Sequence, residues 1–519
     1  MRVLWFGLKF LVCFAILCAI AVPALRWTFR LPDIAGRPPG LAWPADPATP
    51  MGRRVLEEQA RHPGKSGVVP LQGGKDALAS RMALIGAAAR SIDVQYYIWH
   101  DDSSGILLLD KLKEAAERGV RVRLLLDDNG IPGLDPILAT LNAMENIEIR
   151  LFNPSTVRRP KLLGYAFDFF RMNRRMHNKA IIVDGAVAIV GGRNIGDEYF
   201  QVGADQFYVD MDVLAMGAII AETAAAFDAY WNSRSVFGVE TIIAGAGDSA
   251  AFAARVAEVK ASDEAVGLRT ELQASFDAYL KGGITPEWTT VKLIVDDPAK
   301  GEGLARGDQL VISRLGEILG GTRQRLDLVS AYFVPGPEGT RFFADLAHSG
   351  VAVNILTNAQ NTTDVLLVHA GYTKYRRELL AAGVDLFELK LRGLPDSETH
   401  IQLNRLGLSG ASLHAKVFAV DGERVFIGSF NFDPRSARLN CEMGFLIDSP
   451  SLASRVSQGF DGPFEMVSYR PQLTPERKMI WREAVPQGQA VIYQEEPGAS
   501  WFQQIATVVI GILPVEWML

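Results

Sequence analysis

The chain has 519 residues, of which 48% are apolar and 22% are charged, and its formal net charge is −6. This composition is typical of a folded globular protein and excludes a largely disordered one, while the net negative charge gives no overall attraction for nucleic acid. The length accommodates two ordinary domains, or one domain built from two similar halves.

Residues 1–30 form an apolar segment with positive charges on both sides. The uninterrupted apolar run from Phe10 to Leu25, together with the apolar residues before it, is long enough to span a bilayer. We therefore predict a membrane anchor or a cleaved signal segment, and we favour the retained anchor. Residues 31–70 are rich in proline and glycine, which is typical of a tether between an anchor and a folded body.

Two stretches of the chain repeat one order of predicted elements, a buried strand followed by a helix and a second buried strand. The first copy comprises residues 90–99, 105–119 and 120–128, and the second comprises residues 325–335, 338–350 and 351–358. Strand–helix–strand order with short glycine-containing connections implies βαβ crossovers and a parallel or mixed sheet.

Corresponding points of the two copies keep a nearly constant offset, since Gly119 matches Gly350 and His177 matches His414. Two unrelated domains would not keep this register, so the pattern indicates a duplication. We predict an α/β fold with two similar βαβ-rich halves and mixed sheets. The predicted halves are residues 71–285 and 286–490, and an apolar tail follows at 491–519, where it lies at the membrane interface or packs on the body.

The most specific part of the repeat is a motif of His, Lys and Asp. The first copy is His177, Lys179 and Asp184, and the second is His414, Lys416 and Asp421. The residues after each histidine have the apolar, β-branched character of a strand, and Asp-Gly is typical of a turn. Because side chains alternate along a strand, the histidine and the lysine project from one face, whereas the aspartate stabilises the turn.

Each motif strand leads to a corner of small residues that ends in asparagine, in the sequences VGGRN (190–194) and IGSFN (427–431). Asn194, Ser429 and Asn431 are therefore candidates for binding the oxygens of a phosphate. Two histidines suit phosphoryl transfer, in which a neutral imidazole attacks phosphorus while a protonated one delivers a proton to the leaving oxygen. Lysine and asparagine side chains can neutralise the other oxygens, so we expect neither a metal nor a cofactor.

The paired motif, with a G-G/S-x-N corner after each copy, resembles the phospholipase D superfamily over residues 70–490. This resemblance implies that the two halves pack with pseudo-twofold symmetry and that the reaction passes through a phosphohistidine. It also implies that His177 is the nucleophile and His414 the general acid. In our comparison of the two corners Arg193 stands where the second half has Ser429, which puts the hydroxyl contact of the first half in question.

A nucleophilic imidazole needs an acceptor on its second nitrogen, which fixes the tautomer. The candidates are Asp210 in YVDMDVL and Glu442 in NCEMGFL, which lie at similar distances after their motifs. Asp212 competes with Asp210 for this role.

Three features favour a lipid substrate: the N-terminal segment, the apolar C-terminus, and residues 157–179, which mix basic, aliphatic and aromatic side chains before the first motif. Anionic head groups attract basic side chains and acyl chains attract apolar ones. An alternative is that these aromatic residues belong to the core and the arginines to a solvated surface. A nucleic-acid backbone could also use such a stretch, but the negative net charge argues against nucleic acid as a partner.

The whole pattern is similar to bacterial cardiolipin synthases of the phospholipase D type. The resemblance implies phosphatidyl transfer between phospholipids, with phosphatidylglycerol as the usual acceptor and phosphatidylethanolamine as a donor in one subgroup. It further implies that the protein is membrane-associated, at a bacterial inner membrane, with no obligate protein partner. The alternatives are phospholipase D hydrolysis at the same site, a membrane-tethered nuclease, and a membrane scaffold with a relic site.

Overall fold

The computed structural model describes residues 2–203, 207–265, 268, 285–363, 365–390, 412–485, 488–498 and 516–518. Most of the predicted C-terminal tail, residues 499–515 and 519, lies outside the described residues.

The described residues form two large mixed sheets, one in each half. The nine-stranded sheet has the order β10-β1-β8-β6-β5-β2-β3-β4-β9, and the ten-stranded sheet has the order β11-β18-β17-β16-β12-β13-β14-β19-β20-β21. The strands of the first sheet are β1 (Ser66–Leu71), β2 (Ser91–Ile98), β3 (Arg121–Gly130), β4 (Ile147–Phe152), β5 (Ala180–Val183), β6 (Val187–Gly191), β8 (Asp212–Gly217), β9 (Val236–Gly238) and β10 (Glu287–Thr289). The strands of the second are β11 (Val291–Val295), β12 (Arg325–Ser330), β13 (Ala352–Asn358), β14 (Asp385–Leu389), β16 (Lys416–Val420), β17 (Arg424–Gly428), β18 (Met443–Asp448), β19 (Ser468–Leu473), β20 (Met479–Glu483) and β21 (Val491–Tyr493).

The two sheets repeat one topology. In each, three neighbouring strands are parallel, β2-β3-β4 in the first half and β12-β13-β14 in the second, and antiparallel strands flank them. A short parallel pair, β7 (Tyr208–Val209) with β15 (Ser412–Leu413), joins one half to the other. The predicted α/β class with two similar halves and mixed sheets is confirmed.

Apart from the N-terminal helix Arg2–Thr28, the longer helices pack against the sheets and connect their strands. In the first half the helices are Arg2–Thr28, Pro50–Arg61, Gly74–Ala87, Ser103–Glu117, Asp135–Asn142, Tyr165–Met172, Asp197–Phe200, Ile219–Trp231, Val239–Ile242 and Ser249–Ala261. In the second half they are Val311–Gly320, Gly336–His348, Leu366–Ala381, Pro434–Arg438, Pro450–Phe460 and Pro463–Val467. Short 3₁₀ helices occupy Lys161–Gly164, Pro298–Glu302, Gly307–Gln309 and Glu516–Met518.

Successive residues of the interior strands contribute to different hydrophobic cores. Ile181 and Val183 of β5 pack in the core beneath the helices of the first half. Ala180 and Ile182 face the other way, into a core that also contains Val417 of β16 and other strand residues of the second half. Period-two alternation thus gives each sheet two packed faces, one in a core of its own half and one in the core shared with the opposite half. Helices Ile219–Trp231 and Pro450–Phe460 also contribute to the shared core. The two sheets pack face to face, and the edge of this shared core holds the motif residues.

The predicted tether at 31–70 is wrong in its second part. Residues Pro50–Arg61 form a helix, and Ser66–Leu71 form β1, which pairs antiparallel with β8 inside the first sheet. In the second half, β11 pairs with β18 in the same antiparallel manner, so β1 opens the first copy of the duplicated unit as β11 opens the second.

The predicted ends of the two halves, residues 285 and 490, also differ from the structure. Strand β10 (Glu287–Thr289) lies beyond the predicted end of the first half at residue 285, yet it pairs with β1 in the first sheet. The second sheet extends to β21 (Val491–Tyr493), which pairs with β20, inside the segment predicted as a tail.

The N-terminal segment is one helix, Arg2–Thr28. Its part Lys9–Thr28 has a mean hydropathy of 2.2, none of it is buried in the body, and it is long enough to cross a membrane.

Candidate active site between the two halves

Each motif histidine is held by the backbone of the opposite half. The amide of His177 donates to the carbonyl of Cys441 over 2.8 Å, and the amide of His414 donates to the carbonyl of Val209 over the same distance. The residues before β5 therefore leave their own sheet to pair with the second half, which is why the strand predicted from His177 begins only at Ala180.

The residues that follow these two carbonyls are the predicted orienting carboxylates, and they contact the histidines crosswise. Glu442 accepts from Nδ1 of His177 over 2.8 Å, and Asp210 lies 2.5 Å from Nδ1 of His414. All four side chains are buried. With Nδ1 bound to a carboxylate, each ring keeps Nε2 for chemistry.

Asp212, the competing candidate, does not reach a histidine. Its carboxylate pairs with Arg81 over 2.8 Å and with Arg193 over 3.3 Å in the interior of the first half. The sequence did not distinguish Asp210 from Asp212 as the acceptor for a histidine, because they are only two positions apart and lie on one face of an extended chain.

The motif lysines are almost completely buried beside the histidines. The ammonium group of Lys179 donates to the carbonyl of His177 over 2.7 Å, and that of Lys416 lies 2.8 Å from Nδ1 of His414. Burial is the main cause that lowers the pKa of Lys179, to about 7, and the charge of Lys416 lowers it further. The two lysines thus place positive charge at one buried site, and binding of a phosphate there stays a prediction.

Burial lowers the pKa of both imidazoles, and the shift is larger for His177, whose pKa falls well below its ordinary value. The charges of Lys179, Lys416 and His414 all lower the pKa of His177, which places the two rings within electrostatic reach of each other. For His414 the carboxylate of Asp210 opposes the shift. Of the two imidazoles, that of His414 is therefore the more readily protonated.

The orienting carboxylates Glu442 and Asp210 also differ in pKa. Burial raises the pKa of Glu442 to about 7, although the charge of Lys179 opposes it. The pKa of Asp210 is lowered, because the charges of Lys416 and His414 outweigh its burial. The His414 side of the site thus holds the more strongly ionised carboxylate.

Asp184 and Asp421 lie at the turns that follow the motif strands and have left-handed backbone angles, with φ of 51° and 54°. The carboxylate of Asp184 accepts from the backbone amides of residues 89–91. That of Asp421 accepts from the amides of residues 323–325. In both halves the oxygens are thus bound to the chain segment before β2 or β12, away from the imidazoles.

The predicted match of Arg193 with Ser429 at the two glycine-rich corners is wrong. Gly191 of β6 pairs with Asp212, and Gly428 of β17 pairs with Gly444. Counting from these pairs, Ser429 corresponds to Gly192 and not to Arg193. The Arg193 side chain is buried, and it donates to the carbonyl of Leu71 and to the carboxylate of Asp212.

Ser429 and Gly192 both face the orienting carboxylates. The Ser429 hydroxyl donates to Glu442 over 2.5 Å and accepts from the amide of Met443. A Cβ atom at Gly192 would lie 2.1 Å from a carboxylate oxygen of Asp210, so this carboxylate occupies the space that a serine side chain would need. Only the second half therefore supplies a hydroxyl here.

The two predicted asparagines have different surroundings. Asn194 donates from Nδ2 to the hydroxyl of Tyr199 over 2.9 Å, and its oxygen accepts from the amide of Ile98. Asn431 is buried, and its side-chain oxygen has no hydrogen-bond partner among the described residues. A role of either amide, or of Ser429, in binding phosphate stays a prediction.

Three tyrosines beside the imidazoles were missed in the sequence. The ring of Tyr97 lies 4.9 Å from that of His177, and the rings of Tyr199 and Tyr208 each lie 5.2 Å from that of His414. No sequence pattern marked Tyr97 as a site residue, because it is one of several large residues in a buried strand. Tyr199 and Tyr208 lie near turns and belong to no recognisable motif.

One group among the described residues has donors close enough for a metal ion, namely His100, Asp102 and Glu198. Asp102, however, accepts from the amides of Gly105 and Asp197 and thereby caps the helix Ser103–Glu117. This cluster is explained by helix capping, and it does not include a motif residue.

Comparison with known proteins places this geometry in a family. The family model described as "Cardiolipin synthase, PLD-like domain" matches twice, at residues 82–231 and 315–463, one match in each half. The chain is 43% identical to cardiolipin synthase C of Escherichia coli (strain K12) over 474 residues, which is 90% of this chain and 98% of that protein. It is 30% identical over 383 residues to a cardiolipin synthase of Geobacillus kaustophilus (strain HTA426), covering 72% of this chain and 61% of that protein.

Among solved structures, the crystal structure of phosphatidylserine synthase from Haemophilus influenzae Rd KW20 superposes with a TM-score of 0.51 and 14% identity. The match covers 80% of this chain and 91% of that one, and it supports the fold.

Proposed function

Because the chain belongs to the cardiolipin synthases with phospholipase D-like domains, we propose that it transfers a phosphatidyl group from one phospholipid to an alcohol of another. The transfer passes through a covalent phosphohistidine. Phosphatidylglycerol is the proposed acceptor, which makes cardiolipin the product, and phosphatidylglycerol or phosphatidylethanolamine is the donor. The relative named cardiolipin synthase C, which matches over nearly its full length, supports this assignment.

The observation that carries the proposal is the crosswise pairing of two histidines with two carboxylates. Glu442 holds Nδ1 of His177 and Asp210 holds Nδ1 of His414, so each half orients the imidazole of the other. Because the pKa of His177 is lowered further than that of His414, the site favours His177 as the nucleophile and His414 as the general acid.

In the first step, Nε2 of His177 attacks phosphorus and forms a P–N bond. The bond from phosphorus to the donor's head-group oxygen breaks, and that oxygen takes a proton from Nε2 of His414. In the second step, the acceptor hydroxyl gives its proton to Nε2 of His414 while its oxygen attacks phosphorus and the P–N bond breaks. Both imidazoles return to their initial states, and the head-group alcohol is released.

The buried ammonium groups of Lys179 and Lys416 bind the non-bridging oxygens of the phosphate. Their positive charge is worth more here than in water because the site is enclosed by protein. It also favours the phosphorane-like transition state, in which negative charge on these oxygens increases.

Hydrolysis would use the same two histidines with water as the acceptor, so the products decide between transfer and hydrolysis. Purified full-length protein is incubated in detergent–lipid micelles with labelled phosphatidylglycerol, alone and with phosphatidylethanolamine, in the presence of EDTA. Cardiolipin as the product supports the proposal, and more cardiolipin on addition of phosphatidylethanolamine identifies that lipid as a donor. Phosphatidic acid as the sole product would replace transfer by hydrolysis, and cleavage of oligonucleotides alone would indicate a nuclease.

A matched control separates the motif histidines from histidine content in general. His177→Ala and His414→Ala should each abolish turnover, whereas His348→Ala, at an exposed position of the last helical turn of Gly336–His348, should leave it unchanged. Equal losses in all three variants would point to a general effect on folding.

The protein is membrane-associated, and we propose that the helix Lys9–Thr28 is retained and anchors it in the bacterial inner membrane. An anchor at residues 9–28 keeps the site close to substrates that do not leave the bilayer. Extraction of membranes with carbonate should leave the full-length chain in the pellet, and N-terminal sequencing of that material should begin at or near Met1.

A further inference from the structure

The end of the apolar N-terminal helix is attached to one region of the body. Arg26 donates from its Nε to the carbonyl of Phe167 over 2.6 Å, and the ring of Phe29 stacks on that of Phe167 at 5.7 Å. Just beyond, the hydroxyl of Thr156 donates to the carbonyl of Phe29 over 2.8 Å. If the helix spans the bilayer, residues 156–172 lie where the chain leaves it.

The same region exposes large apolar side chains. Leu162 is 77% exposed and Phe170 is 67% exposed, more than any other large apolar residue described after residue 30, and Leu163 is 56% exposed. Trp517, from the C-terminal end, is 45% exposed and packs beside them through Phe169, with the rings 6.2 Å apart. Large apolar residues concentrated on one exposed surface of a folded protein mark an interaction site.

Three of the four basic residues at 156–172 are already paired within the protein, and the fourth, Arg159, is exposed. Arg158 and Lys161 bind the carboxylate of Asp128 at 2.7 and 3.1 Å, and Arg171 binds Asp168 at 2.5 Å. Their charge is largely neutralised, so they add little attraction for anionic head groups. The surface therefore acts through its apolar side chains, which differs from the mixed attraction that the sequence suggested.

Side-chain contacts connect this surface with the His177 side of the active site. The hydroxyl of Tyr165, next to the exposed leucines, donates to the side chain of Asn129 over 3.3 Å. Asn129 in turn contacts Tyr97, whose ring packs against His177 at 4.9 Å. A chain of three side chains thus connects the exposed apolar surface with the proposed nucleophile.

We propose that Leu162, Leu163, Phe170 and Trp517 form an interfacial surface that inserts into the bilayer and holds the His177 side of the cleft against it. The occupant of this surface is the apolar boundary of a lipid bilayer, because the surface is continuous with the end of a helix long enough to span one. The inference rests on the proposed membrane anchorage, and it adds a second attachment that orients the body.

Spin labels on the full-length protein test the insertion directly. Leu163→Cys and, as a matched control, Leu41→Cys are each introduced into a protein with Cys13→Ala and Cys18→Ala. Cys441 is fully buried and can remain. Leu41 is 63% exposed and its carbonyl accepts from Arg121, the first residue of β3. Asp128, which pairs with Arg158 and Lys161, lies near the other end of that strand. In vesicles of neutral phosphatidylcholine, the label at 163 should collide more often with oxygen than with a water-soluble nickel chelate, and the label at 41 should do the reverse.

A label at 163 that is as accessible to the nickel chelate as the one at 41 would overturn the inference. The measurement does not depend on turnover, so it stands even if the wild-type protein makes no cardiolipin in the same vesicles. High salt should not change the result, because the surface is apolar. Loss of the oxygen preference at high salt would indicate an electrostatic contact instead.

Activity gives a second readout. In the triple variant Leu162→Glu, Leu163→Glu and Phe170→Glu, the ratio of turnover on bilayer phosphatidylglycerol to turnover on a short-chain, monomeric form should fall about tenfold or more, because three apolar side chains no longer enter the lipid. Leu41→Glu should keep the wild-type ratio. An unchanged ratio in the triple variant would contradict the proposal.

Discussion

Nδ1 of His177 lies 2.8 Å from a carboxylate oxygen of Glu442, although the two residues are 265 positions apart and belong to different halves of the chain. The pair formed by His414 and Asp210 repeats this contact in the opposite direction. Neither half contains both its motif histidine and the carboxylate that accepts from that histidine. Duplication has therefore produced one site with two oriented imidazoles, and the packing of the sheets is what completes it.

The roles of the two histidines can be separated with a donor that needs no proton. A phosphodiester with a nitrophenol leaving group departs readily as the anion, so the general acid becomes dispensable in the first step. With this donor, His414→Ala should form and accumulate a phosphoenzyme at His177, because the second step still needs a base. The peptide that contains His177 should carry the added mass, which is stable to alkali and labile to acid.

His177→Ala is the matched variant for this experiment and should form no phosphoenzyme. A modified His414 in the His177→Ala protein would reverse the two roles. Absence of any adduct in His414→Ala would argue for direct displacement without a covalent intermediate.

Ser429 is expected to tune the site through Glu442. Its hydroxyl donates to the Glu442 carboxylate over 2.5 Å, and this hydrogen bond lowers the pKa of Glu442. Ser429→Ala should raise that pKa, so that less of the carboxylate is ionised at neutral pH and the acid limb of the pH–rate profile moves to higher pH. Turnover at neutral pH should fall about tenfold, the usual effect of losing a hydrogen bond to a charged group.

Ser330→Ala is a suitable control, since it also removes a buried hydroxyl in the second half, but one that donates to the carbonyl of Tyr332. Its acid limb should match that of the wild type. If Ser429→Ala lowers turnover without moving the limb, the hydroxyl acts on the substrate and not through Glu442.

The wild-type enzyme should have a bell-shaped dependence of kcat/KM on pH with its maximum near neutrality. Below about pH 7 Glu442 gains a proton and can no longer accept from both His177 and Ser429. Above about pH 7 Lys179 loses its proton, and with it the attraction for the phosphate. The two limbs belong to the coupled cluster as a whole. In Lys179→Arg the alkaline limb should move up markedly, because a guanidinium stays charged; a limb that stays in place assigns it to another group.

Local spacing was sufficient to predict several parts of the site. Side-chain alternation placed His177 and Lys179 on one face, and the Asp-Gly pair identified the turn at Asp184. The crosswise contacts of Asp210 and Glu442 depend on how the halves pack, and no local pattern encodes that packing. The constant offset between the copies indicated that the two motifs would share one site. It did not indicate which carboxylate accepts from which imidazole.

The errors also have physical reasons. Strand β1 (Ser66–Leu71) contains Gly67 and Pro70, which are unusual inside a sheet, and it follows a segment rich in proline and glycine. The structure accommodates Pro70 because β10 pairs only with Ser66–Val68, so one side of β1 has no paired strand at the proline within the described residues. The error at Gly192 was a shift of one position: VGGRN and IGSFN, aligned letter by letter, place Gly192 opposite Ser429, and the strand pairing agrees.

The motif aspartates are expected to contribute to stability and not to the chemical steps. Asp184 is 2% exposed and accepts from three backbone amides, so Asp184→Ala leaves these donors without a partner and should lower the free energy of unfolding by about 3 kcal/mol. Asp421 makes equivalent contacts but is more exposed, so water replaces part of what Asp421→Ala removes and the loss should be smaller.

Because backbone amides hold the pKa of Asp421 below its ordinary value, its stabilising contribution is complete above the unfolded pKa and is lost as the pH falls through the folded one. Denaturant midpoints measure the loss of stability, and turnover per folded molecule tests the chemistry. This turnover should stay within a few-fold of that of the wild type. If Asp184→Ala loses as much turnover as His177→Ala at a temperature where the variant is folded, Asp184 takes part in the chemical steps.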